Sequence, residues 1–245
     1  MSIFRTSTLA ATLLLSISAC SEGGDSSAQQ TSGEETSDGL ISEASFDAGV
    51  GVQIGAVDAP VTIIEYASIT CNHCKDFHDD VVGSVLENYV AAGKVKFVFR
   101  EFPLNQIDVA GFAVARCAGE ANYFSALDVF FDEQAEVISA AQDGTILDKF
   151  KDIGGGFGLD EDEVDTCIND SDIRRQIAAS IDAGQGDGVN STPSIFINGT
   201  RQETIESRTA EGMANILDGL LGETSEPETV AEPTTDAADT SNEAE

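Results

Sequence analysis

The chain has 245 residues, of which 44 are acidic and 12 basic, giving a formal net charge of −32 at pH 7. This charge argues against nucleic acid as a partner, because a strongly negative protein repels phosphate backbones. The hydrophobic share of 41% is enough for a packed core, and the length fits one domain with extensions or two small domains.

The first nineteen residues have the pattern of an export signal. A short start containing Arg5 precedes a mostly apolar run over 9–17, which is about half the ~20 residues that a membrane-spanning helix needs. The ending Ile17-Ser-Ala-Cys20 resembles the lipobox of bacterial lipoproteins, and this resemblance implies lipidation of Cys20. An ordinary cleavage nearby, with Cys20 incidental, is the alternative. We therefore predict a lipoprotein-type signal peptide over 1–19, with membrane attachment through lipid alone.

Two flanking stretches carry acidic residues without basic ones. Residues 21–48 contain seven acids and residues 221–245 contain eight, and neither stretch holds Lys or Arg. Both are poor in large apolar side chains, so they cannot bury enough surface to offset their chain entropy. We predict a disordered acidic linker over 20–45, a folded domain over 46–221 and a disordered acidic tail over 222–245.

The folded domain begins with a strand, a helix and a second strand. Val61–Tyr66 is an apolar run just after Pro60, typical of a buried strand. Lys75–Val90 carries apolar residues at helical spacing, and Gly93 marks its end. Val95–Arg100 predicts the second strand. This order and spacing indicate a βαβ unit with a parallel pair of strands.

The rest of the domain is helical and then mixed. From about 108 to 185 the pattern predicts an all-helical insertion, with a helix-start box at Asp160 and Glu163. Ser194–Ile197 predicts a strand, and the Asn-Gly pair after it predicts a hairpin return. Ser207–Leu220 predicts a final helix. The order is therefore β-α-β, a helical block, then β-β-α.

Cys71-Asn-His-Cys74 lies between the first strand and its helix. A Cys-x-x-Cys pair at such a junction is a redox centre more often than any other kind of site. The free N–H groups and the dipole of a helix start favour negative charge, so we expect Cys71 to be an attacking thiolate with a lowered pKa. His73 can add a positive charge or a donor nearby. Cys74, one turn along, is expected to be more buried and to act as the resolving cysteine.

Two further cysteines are predicted to have a structural role. With Cys20 assigned to lipid, Cys117 and Cys167 remain, 50 residues apart, which is not the spacing of a Cys-x-x-Cys motif. In an oxidising compartment we expect them to form a disulfide that stabilises two helices. Two unpaired core cysteines are the alternative.

Over about 46–221 the chain resembles the DsbA family of thiol:disulfide oxidoreductases. Four matches carry the resemblance: Cys71-Asn72-His73-Cys74 against the family's Cys-Pro-His-Cys, Glu65 six residues before the first cysteine, Arg100–Leu104 at the end of the second strand, and Thr192-Pro193 before Ser194–Gly199. The resemblance implies an α/β, thioredoxin-like fold with an inserted all-helical subdomain. Asn72 departs from the family pattern between the cysteines, where the redox potential is set.

The resemblance also implies roles for three residues outside the motif. A cis peptide bond before Pro193 would present the backbone of Thr192 beside the sulfurs, where a substrate strand can pair with it. An ordinary trans turn is the alternative. Thr192 can also donate its hydroxyl toward the thiolate. Glu65, in an apolar strand, is the candidate proton relay for Cys74, with a raised pKa. Its exposure to solvent or its pairing with Lys96 is the alternative.

An alternative function is that of a metal- or copper-handling lipoprotein. Such a protein would use four residues of metal-ligand type that lie close together in the sequence, namely Cys71, His73, Cys74 and His78. No second Cys/His cluster completes such a site, so we expect no metal, no cofactor and an exposed His78. Asp160–Asp165 lacks the spacing and glycine of an EF-hand, and Gly154–Gly156 is expected to be a flexible loop rather than a phosphate cradle. A chaperone or structural lipoprotein that retains only the fold is a third reading.

The function that the sequence favours is an extracytoplasmic thiol:disulfide oxidoreductase that oxidises exported proteins through Cys71 and Cys74. An envelope reductase or isomerase is the alternative. The expected partners are cysteine-containing exported proteins and a membrane redox partner that resets the disulfide. We expect a monomer on the periplasmic side of a bacterial cell envelope, anchored by lipid.

Overall fold

The computed structural model describes residues 45–46 and 50–222. The predicted signal peptide over 1–19, the lipidation of Cys20, the linker up to residue 44 and the tail from residue 223 lie outside the described residues. Among the helices of the described ranges, none combines the length and apolar character that a membrane crossing requires.

Six strands of the described chain form one mixed sheet. They are β1 (Ser45–Phe46), β2 (Val52–Ile54), β3 (Val61–Ala67), β4 (Val95–Glu101), β5 (Ser194–Ile197) and β6 (Thr200–Gln202). Their order is β1-β2-β4-β3-β5-β6, in which β3 and β4 are parallel and every other neighbouring pair is antiparallel. The predicted parallel pair is therefore present, and β3, which leads to the first cysteine of the motif, lies between β4 and β5. The short strands β1, at one edge of the sheet, and β2, next to it, were not predicted.

The helical segments follow the predicted chain order. A continuous helical stretch after β3 comprises α1 (Asn72–Phe77), a π-helical turn (His78–Val82), α2 (Gly83–Val85) and a second π-helical turn (Leu86–Val90). The insertion comprises α3 (Gln106–Cys117), α4 (Tyr123–Asp132), α5 (Gln134–Asp143), α6 (Ile146–Gly156), α7 (Glu161–Asn169) and α8 (Ser171–Gly186), with a 3₁₀ turn at Glu120–Asn122. A 3₁₀ turn (Glu206–Arg208) and α9 (Ala210–Leu221) end the domain. The predicted order of β-α-β, helical block and β-β-α is confirmed.

The loop predicted at Gly154–Gly156 is wrong, because these residues end α6. Gly154 is buried where α6 packs against α7, and a Cβ built on it would lie 2.6 Å from Cγ2 of Val164. The glycine therefore permits close packing of two helices rather than flexibility. The predicted box at the start of α7 is present: Asp160 accepts the N–H of Glu163, and Glu163 accepts the N–H of Asp160.

The helical insertion is joined to the sheet by a buried polar cluster and carries an internal disulfide. Arg116 of α3 donates to Glu101 at the end of β4 over 2.7 Å, and the Tyr123 hydroxyl donates to the same carboxylate over 3.0 Å. All three side chains are buried, so the charges are compensated within the core. Next to Arg116, Cys117 forms a disulfide with Cys167, which links α3 to α7.

Candidate active site

Cys71 caps the helix that follows β3. Its backbone is extended, its half-buried sulfur accepts the N–H of Cys74 over 3.3 Å, and its thiol lies 3.4 Å from the carbonyl oxygen of Thr192. A hydrogen bond from the Cys74 thiol outweighs burial, with help from the Thr192 side chain and the N–H groups of Cys74 and His73. Together they lower the pKa of Cys71 from 9.0 to about 6. The thiolate is therefore the main form of Cys71 at neutral pH.

Cys74 has the opposite environment. Its side chain is fully buried in the core, and it is a free thiol, as is Cys71. Burial raises the pKa of Cys74 well above its usual value, and the hydrogen bond to Cys71 and the charge of Glu65 act in the same direction. The pair is thus asymmetric: one sulfur favours the thiolate and can be reached from solvent, and the other favours the thiol and cannot.

The segment before β5 faces the Cys71 sulfur. The Thr192–Pro193 peptide bond is cis, and the Thr192 carbonyl lies against the Cys71 sulfur. The Arg208 guanidinium donates to the Pro193 carbonyl over 3.2 Å, and the Ser194 hydroxyl donates to the Ser191 carbonyl over 2.7 Å. These bonds hold the loop in place from both sides of the proline.

Glu65 lies in β3 and faces the core, with its side chain fully buried. Its Oε2 lies 3.2 Å from Nε2 of His78. The structure therefore shows neither the exposed acid nor the pairing with Lys96 that were considered as alternatives.

The prediction of an exposed His78 is wrong. Its side chain is 4% exposed and lies between Phe99 and Phe131, with ring centroids 5.8 and 4.2 Å away. His78 follows Cys74 by four residues, so both lie on the same buried face of the helix. Burial opposes the charged form, but the charge of Glu65, followed by Asp128, outweighs it and raises the pKa of His78 to about 9.

The residues between the two cysteines are both exposed. The His73 side chain is 82% exposed, and its Nδ1 lies 3.6 Å from Asp76. It is the backbone N–H of His73 that hydrogen-bonds toward Cys71. Asn72 is the first residue of α1, with its side chain at the surface.

Two buried polar residues of the insertion support the turn before Cys71, and neither was predicted. The Gln134 side-chain amide donates to the carbonyls of Ile69 and Cys71 over 2.6 and 3.1 Å. Asp108 accepts from the Ser68 hydroxyl and from backbone N–H groups on both sides of the site, those of Thr70 and Leu104. Each residue stands in a helix with no motif around it, so the sequence carries no signal for these contacts.

The ligand set of the metal-binding alternative is not assembled. His73 points to solvent and His78 into the core, and the described residues contain no group of three or more His, Cys, Asp or Glu side chains that could hold a metal ion.

The fold and the thiol pair define a class: thioredoxin-like proteins with a Cys-x-x-Cys pair at a helix start. The family model described as Thioredoxin matches residues 47–219. The chain therefore belongs to the thioredoxin family, in its DsbA-like branch, and the predicted thioredoxin-like fold with a helical insertion is confirmed.

Similar proteins agree with this assignment. The crystal structure of Wolbachia pipientis alpha-DsbA1 superposes with a TM-score of 0.61 at 26% identity, over 70% of this chain and 90% of that one. A protein-disulfide isomerase from Novosphingobium aromaticivorans shares the fold, with a TM-score of 0.60 at 23% identity over 74% of this chain and 99% of that one. A Rickettsia bellii protein provisionally named protein-disulfide oxidoreductase is 29% identical over 156 residues, which are 61% of this chain and 58% of that protein. The chain thus spans little more than half the length of such relatives.

Proposed function

We propose that the protein is a thiol:disulfide oxidoreductase that oxidises cysteines of exported proteins outside the cytoplasm. The asymmetry of the thiol pair carries this proposal. Cys71 is half-buried and has a pKa of about 6, whereas Cys74 is buried and its pKa is raised. Disulfide exchange needs one sulfur that leaves readily as a thiolate, here Cys71. It also needs a second sulfur that is shielded from solvent once the disulfide has opened, here Cys74.

The exchange follows from this geometry in two steps. A substrate thiolate attacks Cys71 of the Cys71–Cys74 disulfide, a new S–S bond forms to the substrate, and Cys74 leaves with the electron pair and takes up a proton. A second substrate thiolate then attacks the substrate sulfur of this mixed disulfide, and Cys71 leaves as a thiolate. The substrate loses two electrons and the enzyme pair gains them. The low pKa of Cys71 favours the second step, because a more stable thiolate is a better leaving group.

The residues around the sulfurs have supporting roles in this proposal. A substrate strand pairs with the backbone at Thr192 and Pro193, which places its cysteine beside the Cys71 sulfur. The Thr192 side chain and the backbone N–H of His73 stabilise the thiolate, and exposed Asn72 and His73 meet the substrate. Glu65 relays the proton that Cys74 takes up.

The direction of electron flow follows from the same asymmetry. Stabilising the Cys71 thiolate stabilises the reduced protein, which makes the oxidised protein a stronger oxidant. The test is the reduction potential of the pair, measured by equilibration with glutathione. A value toward the roughly −120 mV of DsbA supports an oxidase, and a value near the roughly −270 mV of thioredoxin contradicts it and favours a reductase.

A second measurement tests the mechanism itself. Oxidation of a reduced, unfolded protein substrate should be abolished in Cys71→Ser. Cys74→Ser, mixed with a substrate that already contains a disulfide, should accumulate a mixed disulfide through Cys71, because the Cys71 thiolate attacks the substrate disulfide and no second cysteine resolves the product. A double Ser variant of the structural cysteines, Cys117 and Cys167, is the matched control and should retain exchange. Full exchange activity in Cys71→Ser would rule out the mechanism.

The proposed location is the periplasmic side of a bacterial cell envelope, with Cys20 as the lipid attachment point. The export-signal pattern before Cys20 supports this part of the proposal. Membrane fractionation of the wild type and of Cys20→Ala tests it: the variant should lose its fatty-acid label and leave the membrane fraction. The proposal includes a membrane redox partner that reoxidises the pair. Sedimentation analysis of the purified protein tests the proposed monomer.

A further inference from the structure

The buried pair of Glu65 and His78 continues toward the protein surface. The two ring nitrogens of His78 face different acids: Nε2 lies 3.2 Å from Oε2 of Glu65, and Nδ1 lies 3.9 Å from Oδ1 of Asp128. The side chains of Glu65 and His78 are 0% and 4% exposed, whereas that of Asp128 is 61% exposed. The three side chains therefore form a line from the core to solvent, which we call the acid–histidine line.

The outer end of this line opens into a pocket of about 440 Å³. His78 and Asp128 line the pocket together with Phe131 and two further acids, Asp79 and Asp132. The distance from His78 Nδ1 to Asp128 exceeds a direct hydrogen bond, and Nδ1 has no hydrogen-bond partner within the described residues. Nδ1 itself is buried, so the exposed carboxylate of Asp128 is the group that connects it with water in the pocket.

The inner end of the line reaches the buried sulfur. Cys74 lies one helical turn before His78, and the charge of Glu65 acts on Cys74. When the disulfide opens, Cys74 receives an electron pair at a position with no solvent access. A charged sulfur is costly there, so a proton has to be delivered through the protein.

We infer that His78 passes protons between the Asp128 pocket and Glu65, so that Cys74 is protonated and deprotonated without direct contact with water. This inference rests on the proposed disulfide exchange. Protonated His78 gives its Nε2 proton to the Glu65 carboxylate, and Glu65 passes that proton to the Cys74 thiolate. The neutral ring then changes tautomer, which frees Nδ1 to take the next proton from the Asp128 side. One proton moves from solvent to sulfur, and the steps run in reverse when the disulfide re-forms.

The surroundings of His78 suit this relay role. A protonated imidazole carries an N–H on each ring nitrogen and can release a proton on one side and regain one on the other, whereas an amide does not gain or lose protons near neutral pH. The charged and titratable groups around it are Glu65 from β3, Asp128 and Asp132 from α4, and Cys74 and Asp79 from its own helix. The net negative surroundings raise its pKa to about 9, so a proton is resident on His78 at neutral pH.

The test follows the reduction of the oxidised protein by dithiothreitol, with acid quenching and thiol labelling on the millisecond timescale. His78→Gln keeps a polar side chain but cannot relay a proton, and we expect it to be reduced at least roughly tenfold more slowly than wild type. Its rate should increase with the concentration of buffer acid, whereas the wild-type rate should not. Asp128→Asn should slow the reaction less. Asp152→Asn, an exposed acid on α6, is the matched control and should react like wild type.

Chemical rescue separates a relay from a purely structural role. His78→Ala should regain its rate when free imidazole is added, because the space left by the ring adjoins the pocket. Pyrazole has the same shape but is a far weaker base and should not restore the rate. Equal rescue by both compounds would indicate simple filling of space and would overturn the inference.

The outcome for wild type keeps this inference distinct from the proposed function. Thermal unfolding of His78→Gln verifies that it is folded. A wild-type rate in folded His78→Gln, with no dependence on buffer, overturns the inference and leaves the oxidase proposal intact. Wild-type protein that reacts with dithiothreitol but oxidises no protein substrate overturns the proposed function instead, while the comparison of variants still tests the relay.

Discussion

The hydrogen bond between the two active-site thiols makes a quantitative prediction. In Cys74→Ala the thiol donor to Cys71 is removed, while the backbone N–H of residue 74, which lies 3.3 Å from the Cys71 sulfur in the wild type, is retained. Cys74→Ser is the matched control, because its hydroxyl can still donate. The largest single contribution to the lowered pKa of Cys71 is thus removed in one variant and kept in the other.

The expected size of the effect follows from ordinary hydrogen-bond energies. A hydrogen bond to a charged group contributes about 1.5–3 kcal/mol, and one pKa unit corresponds to about 1.4 kcal/mol. The half-buried position of Cys71 favours the lower end, because solvent weakens the interaction. We expect the pKa of Cys71 to rise from about 6 by about one unit in Cys74→Ala. In Cys74→Ser the pKa of Cys71 should rise by less than about half as much.

The assay is the rate of Cys71 alkylation by iodoacetamide as a function of pH, checked against the ultraviolet absorbance of the thiolate. Each variant retains Cys71 as its reactive thiol. At neutral pH the thiolate fraction should fall from about nine-tenths in the wild type to about half in Cys74→Ala. An unchanged pKa in Cys74→Ala, or equal shifts in the Ala and Ser variants, would refute the assignment of the Cys74 thiol as the main donor.

Three further predictions concern stability and can be measured by urea unfolding. The folded pKa of Cys71, about 6, lies below its unfolded value of 9.0, so the thiolate adds stability that is complete above pH 9 and is lost as pH falls through 6. Between pH 6 and pH 9, the free energy of unfolding of the reduced protein should rise by about 2 kcal/mol relative to that of the oxidised protein. This is about half of the value for the full pKa shift, because the sulfur is half-buried. A difference between the two proteins that does not change with pH would contradict the lowered pKa. Gln134→Ala should cost about 1–3 kcal/mol, because two buried carbonyls lose their donor, whereas exposed Gln142→Ala on the same helix should cost little; equal losses would argue against the role of Gln134. Replacing Cys117 and Cys167 together by Ser opens a loop of 50 residues and should cost about 4 kcal/mol with the pKa of Cys71 unchanged, so a shifted pKa would show that the disulfide acts on the site.

The parts of the fold that the sequence predicted are those with a strong local pattern. Val61–Tyr66 and Val95–Arg100 are mostly apolar runs, and runs of this kind occur in buried strands. The strand Val52–Ile54 has only three residues, too few for any periodicity. Within the predicted helical insertion the chain breaks at Glu133 between α4 and α5, and no glycine or proline marks that break.

The site was predictable where a motif exists and not where contacts are made across the fold. Cys71, Cys74 and Thr192–Pro193 stand in recognisable motifs, and the structure brings them together. His78 was predicted to be exposed, and its burial depends on a compensating acid 13 residues away in β3. Such a pairing becomes visible only when β3 and the following helix pack against each other.

The bonds from Gln134 to the carbonyls of Ile69 and Cys71 have a consequence for engineering. If the insertion were removed, the carbonyls of Ile69 and Cys71 would lose this donor. A designer who transplants the four-residue motif onto a minimal scaffold would have to supply a substitute amide from another direction. The helical block therefore contributes directly to the structure of the turn that carries Cys71.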